Sequence, residues 1–381
     1  MKVLFTAIWY PHRYDAMDGL FVRKHAEAVS RYADVCVLFA KEDKQISQME
    51  IIEQYFGRVK EVYIYYPAST HASINLLRYY NAVRKGLKRI FKTWGKPDIT
   101  HANVFTKPAM IAFYLKKRYH IPYVVMEHWS GYLAANGSYA KTGKAHQYIT
   151  RRLAAAAKYV LPVSRPLKEA MIGHGIKANY HIVNNVVDDF FYLPAKTTIP
   201  IPKGKIRIVY ISCFCEEAKN IFGILRTIKE VSLCRNDFEC IFVGTGADFK
   251  RTTEYAASLN IPDGLIHFVG EQTPEEVCSW LNSSNFLLMF SNYETESVVT
   301  SEALAIGIPI LSSDVDAISD KVSKDCGILV PAGNEQLLKE KIIWMMDHYQ
   351  EYDSNTIRKQ GLHYSYDTVG KEIVQIYNHS L

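Results

Sequence analysis

Short apolar runs alternate with amphipathic stretches along almost the whole chain. In the first half, runs that suit buried parallel strands lie at residues 3–8, 35–39, 62–65, 99–102, 123–127, 159–163 and 181–183. The second half repeats the pattern at residues 206–212, 240–243, 266–269, 286–290, 308–312 and 327–330. Short buried strands that alternate with helices are typical of doubly wound α/β sheets. Two complete sets predict two Rossmann-like domains.

The break between the two sets falls in residues 194–205, which are rich in proline and lysine and lack periodicity. We therefore expect an N-terminal domain at residues 1–195 and a C-terminal domain at residues 196–353. Residues 354–381 carry a helical pattern at Val369, Ile373 and Ile376, with no strand after it. Because ligands of open α/β sheets lie beyond the carboxyl ends of the strands, an interdomain cleft is the expected binding site.

Composition narrows the class of protein. A chain of 381 residues, with 48% hydrophobic and 22% charged residues, is typical of a globular protein with two domains. No run approaches the ~20 apolar residues that cross a bilayer, and the first residues resemble a core strand more than a signal peptide. Seven cysteines without a C-x-x-C spacing favour a reducing compartment. The sequence therefore predicts a cytoplasmic protein.

Charge is distributed unequally along the chain. Residues 1–195 hold 28 Lys and Arg against 14 Asp and Glu, whereas residues 196–381 hold 17 against 25. Residues 75–96 contain seven basic residues and no acidic one, opposite an apolar stripe of Leu76, Leu77, Tyr80, Val83, Leu87, Ile90 and Phe91. An ordinary surface helix explains this pattern, and so does a patch that contacts anionic lipid at the inner face of the plasma membrane. No nucleic-acid-binding module is visible, so nucleic acid is not an expected partner.

Polar residues follow several predicted strands of the first half. Gly19 precedes an amphipathic helix at residues 21–29, and it could turn backbone N–H groups toward a phosphate or an acceptor, although a simple turn explains it equally well. His101 and His128 each follow a strand. A lone histidine is usually a satisfied polar residue, but two at strand ends of one domain favour a site. Asn185 follows a further strand, with an Asx-type turn as the alternative.

In the second half, the strand ends carry residues suited to a phosphorylated ligand. Lys219 follows the first strand and could neutralise a diphosphate, and Gly244 and Gly270 follow the next two, where they allow close approach of a ligand to the backbone. Glu294 and Glu302 follow the fourth strand, and a continuous helix would separate them by ~12 Å along its axis. An acidic helix start explains such a pair in isolation. The order of the signals is what favours a binding site.

In that order the chain resembles GT-B glycosyltransferases of the family 4 type, which are retaining enzymes that use nucleotide-sugar donors. In the first half the resemblance rests on the loop with Gly19 and on D-I-T-H at 98–101, I-P-Y-V-V-M-E-H at 121–128 and V-N-N-V-V-D at 183–188. In the second half it rests on K-N at 219–220, G-T-G at 244–246, F-V-G at 268–270 and S-N-Y-E-T-E-S-V-V-T-S-E-A-L-A-I-G-I-P at 291–309. The resemblance covers nearly the whole chain. It implies a donor site in the second domain, an acceptor site in the first, and a final helix packed back on the first domain.

The resemblance also implies roles around the reacting centre. Glu302 would bind the ribose hydroxyls of the donor nucleotide, and Glu294 would contact the donor sugar as a catalytic residue. Backbone N–H groups of Glu296, Ser297 and Val298 would hold the diphosphate. A helix N-terminus and a nearby lysine stabilise charge that develops on a leaving diphosphate. Neither a metal nor another cofactor is therefore expected.

Further donor contacts follow from the same resemblance. Lys219 would add positive charge at the diphosphate, and Gly244 would lie beside the nucleotide. The loop of Gly270, Glu271 and Gln272 would lie against the base.

In the first domain, the resemblance assigns residues to the sugar and the acceptor. His128 would contact the donor sugar or place the acceptor hydroxyl, as a catalytic residue. His101 and Asn185 would contact the acceptor or the sugar, and Gly19 would approach the diphosphate.

One departure from the family pattern concerns the diphosphate. The family usually has an arginine about five residues before the lysine, and here that place holds Phe214, between Cys213 and Cys215. Thr295 and Ser297 stand where glycines are often found after the first glutamate, and their hydroxyls can cap the helix and bond phosphate. Loss of the arginine removes a bidentate partner of the diphosphate.

The expected function is transfer of a hexosyl group from a nucleotide-sugar to a glycan or lipid-linked acceptor, in bacterial cell-surface polysaccharide biosynthesis. Two alternatives stay open. One is another GT-B enzyme such as a UDP-sugar 2-epimerase, and the other is a degenerate sugar-nucleotide-binding protein without catalysis. A nicotinamide-dependent dehydrogenase is disfavoured because the chain lacks the G-x-G-x-x-G fingerprint.

Overall fold

The computed structural model describes residues 1–194 and 198–381. It divides into two compact units. The first consists of Met1–Val186 and Tyr366–Leu381, and the second of Val187–Ser365. The predicted boundary between residues 195 and 196 lies outside the described residues, and the division in the structure falls between Val186 and Val187.

The first unit is a doubly wound α/β sheet. Its strands are β1 (Lys2–Ala7), β2 (Asp34–Asp43), β3 (Glu50–Phe56), β4 (Val59–Pro67), β5 (Ile99–Asn103), β6 (Tyr123–Glu127) and β7 (Val160–Pro162). Its helices are α1 (Leu20–Ser30), α2 (Ala72–Thr93), α3 (Lys107–Tyr119), α4 (Lys144–Ala156) and α5 (Arg165–Gly173). The strand order is β3-β4-β2-β1-β5-β6-β7, and every pairing is parallel except that of β3 with β4. The order reverses between β1 and β5, where open α/β sheets bind their ligands.

The second unit is a parallel six-stranded sheet with helices around it. Its strands are β8 (Ile206–Ile211), β9 (Phe238–Val243), β10 (Ile266–Gly270), β11 (Phe286–Met289), β12 (Ile310–Ser313) and β13 (Gly327–Val330), in the order β10-β9-β8-β11-β12-β13. Its helices are α6 (Glu216–Lys219), α7 (Ile221–Ser232), α8 (Phe249–Ser258), α9 (Pro274–Asn282), α10 (Val298–Ile306), α11 (Asp316–Ser319), α12 (Glu335–His348) and α13 (Ser354–Gly361). The order reverses between β8 and β11.

The central strands of both sheets are buried on both faces, which explains their continuous apolar sequences. β5 and β6 in the first unit, and β9 and β11 in the second, are buried at every position. Parallel strands covered by helices lose both faces to the core, so they read as unbroken hydrophobic runs. The predicted fold class of two Rossmann-like domains is confirmed.

Residues 354–381 form two helices rather than one. α13 belongs to the second unit, and the last helix, α14 (Tyr366–Asn378), belongs to the first. α14 packs on α1 so closely that a Cβ on Gly370 would lie 2.4 Å from the carbonyl oxygen of Ala28. A small residue is therefore required where the two helices cross.

One local prediction about strands is wrong, and one strand was not predicted. Residues 181–183 form no strand, although the backbone N–H groups of His181 and Val183 donate to the carbonyl oxygens of Val160 and Pro162, next to an isolated bridge between Tyr180 and Val160. Conversely β3 was not expected, because as an exposed antiparallel edge strand it lacks the buried apolar run of its neighbours. Its position is set by pairing with β4 across a turn at Gly57.

α2 carries the basic segment of the first unit. Its buried face contains Tyr79, Val83, Leu87 and Ile90. Leu76 and Leu77, however, are 46% and 72% exposed. The predicted apolar stripe is therefore only partly packed against the sheet. Within the part of the chain that the structure describes, no helix has the length and hydrophobicity needed to cross a membrane.

Candidate active site

Lys219 and Glu294 form an ion pair at the point where the strand order of the second sheet reverses. Lys219 ends α6 after β8, and Glu294 lies in the loop after β11, so topology brings together two residues that are 75 positions apart in sequence. The Lys219 ammonium bonds Glu294 Oε1, and the hydroxyl of Ser291 donates to the same oxygen at 2.7 Å. The predicted lysine and first glutamate are therefore direct neighbours.

The loop that carries Glu294 is tied to its surroundings on two sides. The backbone N–H of Asn292 donates to the carbonyl oxygen of Ala218 at 2.8 Å, and its side-chain amide donates to that of Glu217 at 2.9 Å. The hydroxyl of Ser313 in β12 donates to the carbonyl oxygen of Ser291 at 2.7 Å. These bonds fix the position of the Glu294 carboxylate relative to α6.

Burial strengthens the pairing of Lys219 with Glu294. Glu294 is only 6% exposed. Burial alone lowers the pKa of Lys219, but the charge of Glu294 and the bond between the two groups outweigh it, so the pKa of Lys219 lies above its ordinary value. The lysine is thus held as a cation at the carboxyl ends of β8 and β11.

A second buried ion pair holds the start of α10. Lys321 bonds the carboxylate of Glu296, donates to Ser301 Oγ at 2.7 Å and lies 3.2 Å from the carbonyl oxygen of Ser297. Its ammonium also lies 4.8 Å from the ring centroid of Tyr364. Burial lowers the pKa of Lys321 below its ordinary value, and the attraction of Glu296 offsets only part of this effect. Lys321 could not be singled out from sequence, because a lysine in a polar segment resembles a solvated one.

α10 starts later than a continuous helix from Glu294 would. Ser297 has left-handed backbone angles (φ 50°) and precedes the first helical residue, Val298. Only Glu302 lies on the helix, where it is 8% exposed, and Glu294 lies in the preceding loop. The ~12 Å helical spacing expected from sequence therefore does not apply.

Phe214, which stands in place of the family's arginine, is a core residue. It is fully buried, with its ring centroid 5.1 Å from that of Phe249 and 6.3 Å from that of Phe268. A Cβ on Gly246 would lie 2.6 Å from the backbone of Phe214, and one on Gly244 would lie 2.0 Å from the carbonyl oxygen of Ser212. Gly244 and Gly246 are therefore needed because any side chain there would clash with the neighbouring backbone. Gly244 thus has a packing reason to be glycine, and its contact with the nucleotide stays a prediction.

The loop after β10 is open, by contrast. Gly270 has a φ of 74°, and a Cβ there would meet no described atom within 4 Å. Glu271 is exposed, and the Gln272 amide donates to the carbonyl oxygen of Val269 at 3.0 Å. Thr273 and Glu276 then form a capping box that starts α9. The predicted base-contacting loop is accessible and held at both ends.

In the first unit, His128 contacts residues of α1. Its ring centroid lies 4.4 Å from that of Phe21 and 5.7 Å from that of His25. Nε2 of His128 is buried and finds no hydrogen-bond partner among the described residues. Burial, together with the neighbouring histidines His25 and His101, lowers the pKa of His128 well below its ordinary value, so the ring is neutral.

His25 was missed by sequence reasoning. It lies on the buried face of α1, with Nδ1 2.8 Å from the carbonyl oxygen of Phe21 and Nε2 3.0 Å from that of Asn184. Burial lowers the pKa of His25 to about 4. It links His128 to the loop that contains Asn185, whose side chain is itself nearly buried.

His101 and Gly19 have structural positions within the first unit. His101 is fully buried, stacks on Phe5 at 4.2 Å and bonds the hydroxyl of Tyr377 through Nδ1 at 2.5 Å. It is therefore a core histidine, although its Nε2 finds no hydrogen-bond partner among the described residues. Gly19 has a φ of 62° and precedes α1, and a Cβ there would lie 2.2 Å from the backbone of Trp9. The structure does not place His101 with His128 at an accessible surface.

Glu127 is a second residue that the sequence did not single out. Its carboxylate is fully buried and accepts backbone N–H bonds from His128 and Trp129, both at 2.9 Å, and from Phe105 at 3.2 Å. Burial raises the pKa of Glu127 to about 7, although these donors favour the charged form. Glu127 thereby holds the start of the loop that carries His128.

No cluster of three or more histidine, cysteine, aspartate or glutamate side chains in residues 1–194 and 198–381 is arranged to hold a metal ion.

Two family models match the chain, one on each half. The model described as "Glycosyltransferase Family 4" matches residues 25–189, and that described as "Glycosyl transferases group 1" matches residues 195–360. The order of matches follows the order of the two units. The chain belongs to the family 4 type of GT-B glycosyltransferases.

Relatives of this glycosyltransferase include enzymes of several kinds. It is 25% identical to the lipopolysaccharide 1,6-galactosyltransferase of Escherichia coli (strain K12) over 182 residues, which are 47% of this chain and only 48% of that protein. It is 22% identical to a putative teichuronic acid biosynthesis glycosyltransferase of Bacillus subtilis (strain 168), over 98% of this chain and 100% of that protein. The chain thus spans about half of the first relative and all of the second.

Solved structures share the fold of this glycosyltransferase. A sucrose-phosphate synthase from Thermosynechococcus elongatus has a TM-score of 0.79 at 15% identity, and covers 100% of this chain and 98% of its own. A lipopolysaccharide outer core galactosyltransferase has a TM-score of 0.71 at 18% identity, and covers 100% of both chains. An Anabaena protein solved with UDP and glucose has a TM-score of 0.73 at 16% identity, also over 100% of both. The predicted family and enzyme class are confirmed.

Proposed function

We propose that this glycosyltransferase is a retaining enzyme that transfers a sugar from a nucleotide-sugar to a glycan or lipid-linked acceptor in the assembly of a bacterial cell-surface polysaccharide. The observation that carries the proposal is the buried pair of Lys219 and Glu294 at the carboxyl ends of β8 and β11. A cation and a carboxylate held at this point suit a ligand with a diphosphate and a sugar. The B. subtilis and E. coli relatives, named for teichuronic acid biosynthesis and for a lipopolysaccharide galactosyltransferase, support the polysaccharide setting.

The donor is proposed to bind with its sugar toward Glu294 and its ribose toward Glu302. Lys219 would exchange part of its contact with Glu294 for the diphosphate, and the first N–H groups of α10 would face the same anion. The open loop of Gly270, Glu271 and Gln272 would receive the base. The leaving diphosphate would then be stabilised by fixed charges and dipoles of the chain itself.

The first unit is proposed to supply the acceptor side. His128 is neutral, and its Nε2, which has no hydrogen-bond partner among the described residues, is proposed to bond a hydroxyl of the sugar or the acceptor. Asn185 is proposed to act beside it, through the loop that His25 holds. His101 is not retained in this role, because its contacts lie within the core.

A thermal-shift panel of UDP-, GDP- and ADP-sugars tests donor use. A ligand that binds only the folded protein raises its melting temperature, so one nucleotide class should raise it selectively, and UDP-sugars are the first to test because the Anabaena protein was solved with UDP-glucose. Transfer of the selected sugar to acceptor extracts should follow. Release of free nucleotide without glycosyl transfer would instead favour an epimerase, and binding without turnover would favour a degenerate binding protein.

The anomeric configuration of the product tests the retaining mechanism. We expect the sugar to have the same configuration in the product as in the donor, measured from the coupling of the anomeric proton by NMR. An inverted configuration would contradict the mechanism while leaving donor use intact.

We further propose that the enzyme works at the inner face of the plasma membrane, in contact with anionic lipid through residues 75–96. α2 and α3 border an apolar groove of about 500 Å³. Arg84, Lys88 and Tyr114 line this groove, and Leu77, which precedes Tyr80 of the groove by three residues on α2, is 72% exposed. Apolar side chains next to cations match an acyl chain below an anionic headgroup.

Vesicle cosedimentation tests this contact. The enzyme should sediment with vesicles that contain phosphatidylglycerol, bind phosphatidylcholine vesicles less, and lose binding in Leu77→Glu. Leu233→Glu is a matched control, since Leu233 is 68% exposed in the second unit. Equal loss in both variants, or no sedimentation of the parent, would contradict the proposal.

A further inference from the structure

The first unit has a pocket of its own, at the point where the strand order of its sheet reverses. It has a volume of about 260 Å³, and its walls come from the segments that follow β1, β5 and β6. The residues that matter for its chemistry are Trp9, Phe105, Thr106, Glu127, Trp129 and His146. The volume is below the ~300–1,000 Å³ of sites for drug-sized ligands, so it suits a single ring.

The aromatic wall of this pocket is held rigidly. The ring centroid of Trp129 lies 5.3 Å from that of Tyr132 and 6.4 Å from that of Tyr139, both nearly perpendicular to it. Gly131 lets the indole lie against the backbone, since a Cβ there would be 2.3 Å from the Trp129 ring. Trp9, which also lines the pocket, packs against Phe21 with ring centroids 6.5 Å apart. Both indoles are therefore held by neighbouring aromatic rings.

The pocket also contains a polar atom that the fold leaves unused. Thr106 immediately precedes α3, yet its side chain makes no capping bond, and its Oγ1 is buried without a hydrogen-bond partner among the described residues. A buried hydroxyl of this kind destabilises the fold unless something bonds it. Val104, two residues before Thr106 and also in the wall of the pocket, has a φ of 68°, which is strained for a β-branched residue. Strain and an unpaired hydroxyl are both typical of binding sites.

We infer that this pocket binds one pyranose ring of the acceptor, with a face of the ring against the indole of Trp129 and a ring hydroxyl bonded to Thr106 Oγ1. The inference rests on the proposed glycosyl transfer. A pyranose ring has apolar C–H faces and a polar edge, which match an aromatic wall and one hydroxyl. An alkyl chain would fill the apolar space but leave Thr106 Oγ1 unpaired, so the geometry favours the sugar.

Tryptophan fluorescence of the full chain tests the inference without any nucleotide. The probes are methyl hexopyranosides (glucoside, galactoside, mannoside and N-acetylglucosaminide), with 1-hexanol as the alkyl probe. We expect a saturable change in emission with at least one pyranoside and none with hexanol. Trp129→Ala should weaken the binding of that pyranoside at least tenfold. Trp94→Phe, at the end of α2 and outside the pocket, should leave the dissociation constant of the pyranoside unchanged.

Thr106→Val keeps the test independent of folding. Because Thr106 Oγ1 has no partner among the described residues, its removal should leave the melting temperature unchanged or higher. The same change should weaken binding of the pyranoside by roughly 3- to 10-fold. Saturation by hexanol alone, no response to any pyranoside, or equal affinity in Trp129→Ala and the parent would overturn the inference. Since no donor is present, failure here is distinct from failure of the donor panel.

Discussion

At the scale of single residues, two buried lysine–glutamate pairs organise the loop between β11 and α10. Lys219 holds Glu294 at one end, and Lys321 holds Glu296 at the other. Each lysine is contributed by a different element, so the loop is fixed from both sides. The carboxylate that we propose to face the donor sugar is thereby positioned before any ligand binds, and such preorganisation is what electrostatic catalysis requires.

The pair of Lys321 and Glu296 leads to a prediction about stability. Lys321→Met leaves the Glu296 carboxylate buried without its cation, so the free energy of unfolding should fall by about 3–5 kcal/mol. The double variant Glu296→Leu with Lys321→Met removes both charges and should recover most of that loss. Urea denaturation measures both values. A single variant that loses less than about 1 kcal/mol would mean that the pair contributes little.

The buried carboxyl of Glu127 predicts a dependence of stability on pH. Its pKa is raised from 4.5 to about 7 by burial, so the folded state binds the proton more tightly than the unfolded state does. This contribution is fully present below pH 4.5 and is lost as pH rises through 7, so the free energy of unfolding should fall by roughly 2–3 kcal/mol between pH 5 and pH 8 relative to Glu127→Gln.

Urea denaturation at several pH values measures that difference. Glu340→Gln, at an exposed position on α12, should follow the parent at every pH. A constant difference between the parent and Glu127→Gln across this range would show that Glu127 does not titrate there.

Sequence reasoning could single out residues that belong to a recognisable motif, and it missed residues whose importance comes only from packing. Lys219 and Glu294 could be paired because each follows a strand at the sheet's reversal point. Lys321, His25 and Glu127 act through buried contacts with distant segments, which no spacing in the sequence reveals.

At the scale of elements, the parallel strands were predictable because burial on both faces leaves an unbroken apolar run. The exposed antiparallel β3 has no such run, and its existence depends on β4. Residues 181–183 are apolar enough for a strand, and the backbone N–H groups of His181 and Val183 donate to β7, but the pairing is too short to make a strand. Hydrophobic pattern therefore identifies the core strands of this sheet and not its edges.

The crossing of α14 and α1 gives a prediction at this scale. Ala is normally favoured over Gly in a helix by about 1 kcal/mol, but a Cβ on Gly370 would lie 2.4 Å from the backbone of Ala28, whereas one on Gly173 in α5 meets nothing within 4 Å. Gly370→Ala should therefore lower the free energy of unfolding by about 1–3 kcal/mol. Gly173→Ala is the matched control and should be neutral or slightly stabilising in the same thermal denaturation. The same effect in both variants would contradict the packing argument.

At the scale of the whole molecule, the two units divide chemistry and charge between them. The basic first half carries the exposed face of α2, the histidines and the tryptophan-lined pocket, whereas the acidic second half carries the buried lysine–glutamate pairs. The two-domain α/β fold and the family followed from the sequence. The domain limits did not, because residues 354–381 divide between the units and no change in composition marks that point.

The most direct test of the account compares Glu302→Ala and Glu294→Gln for donor binding and for transfer, with Glu340→Ala as the control. Isothermal titration of the donor selected by the panel should show binding weakened roughly tenfold or more in Glu302→Ala. In Glu294→Gln, binding should stay near that of the parent while the rate of transfer falls about 10²-fold or more. If Glu302→Ala binds the donor as tightly as the parent, or if Glu294→Gln transfers at the parental rate, the proposed site is wrong.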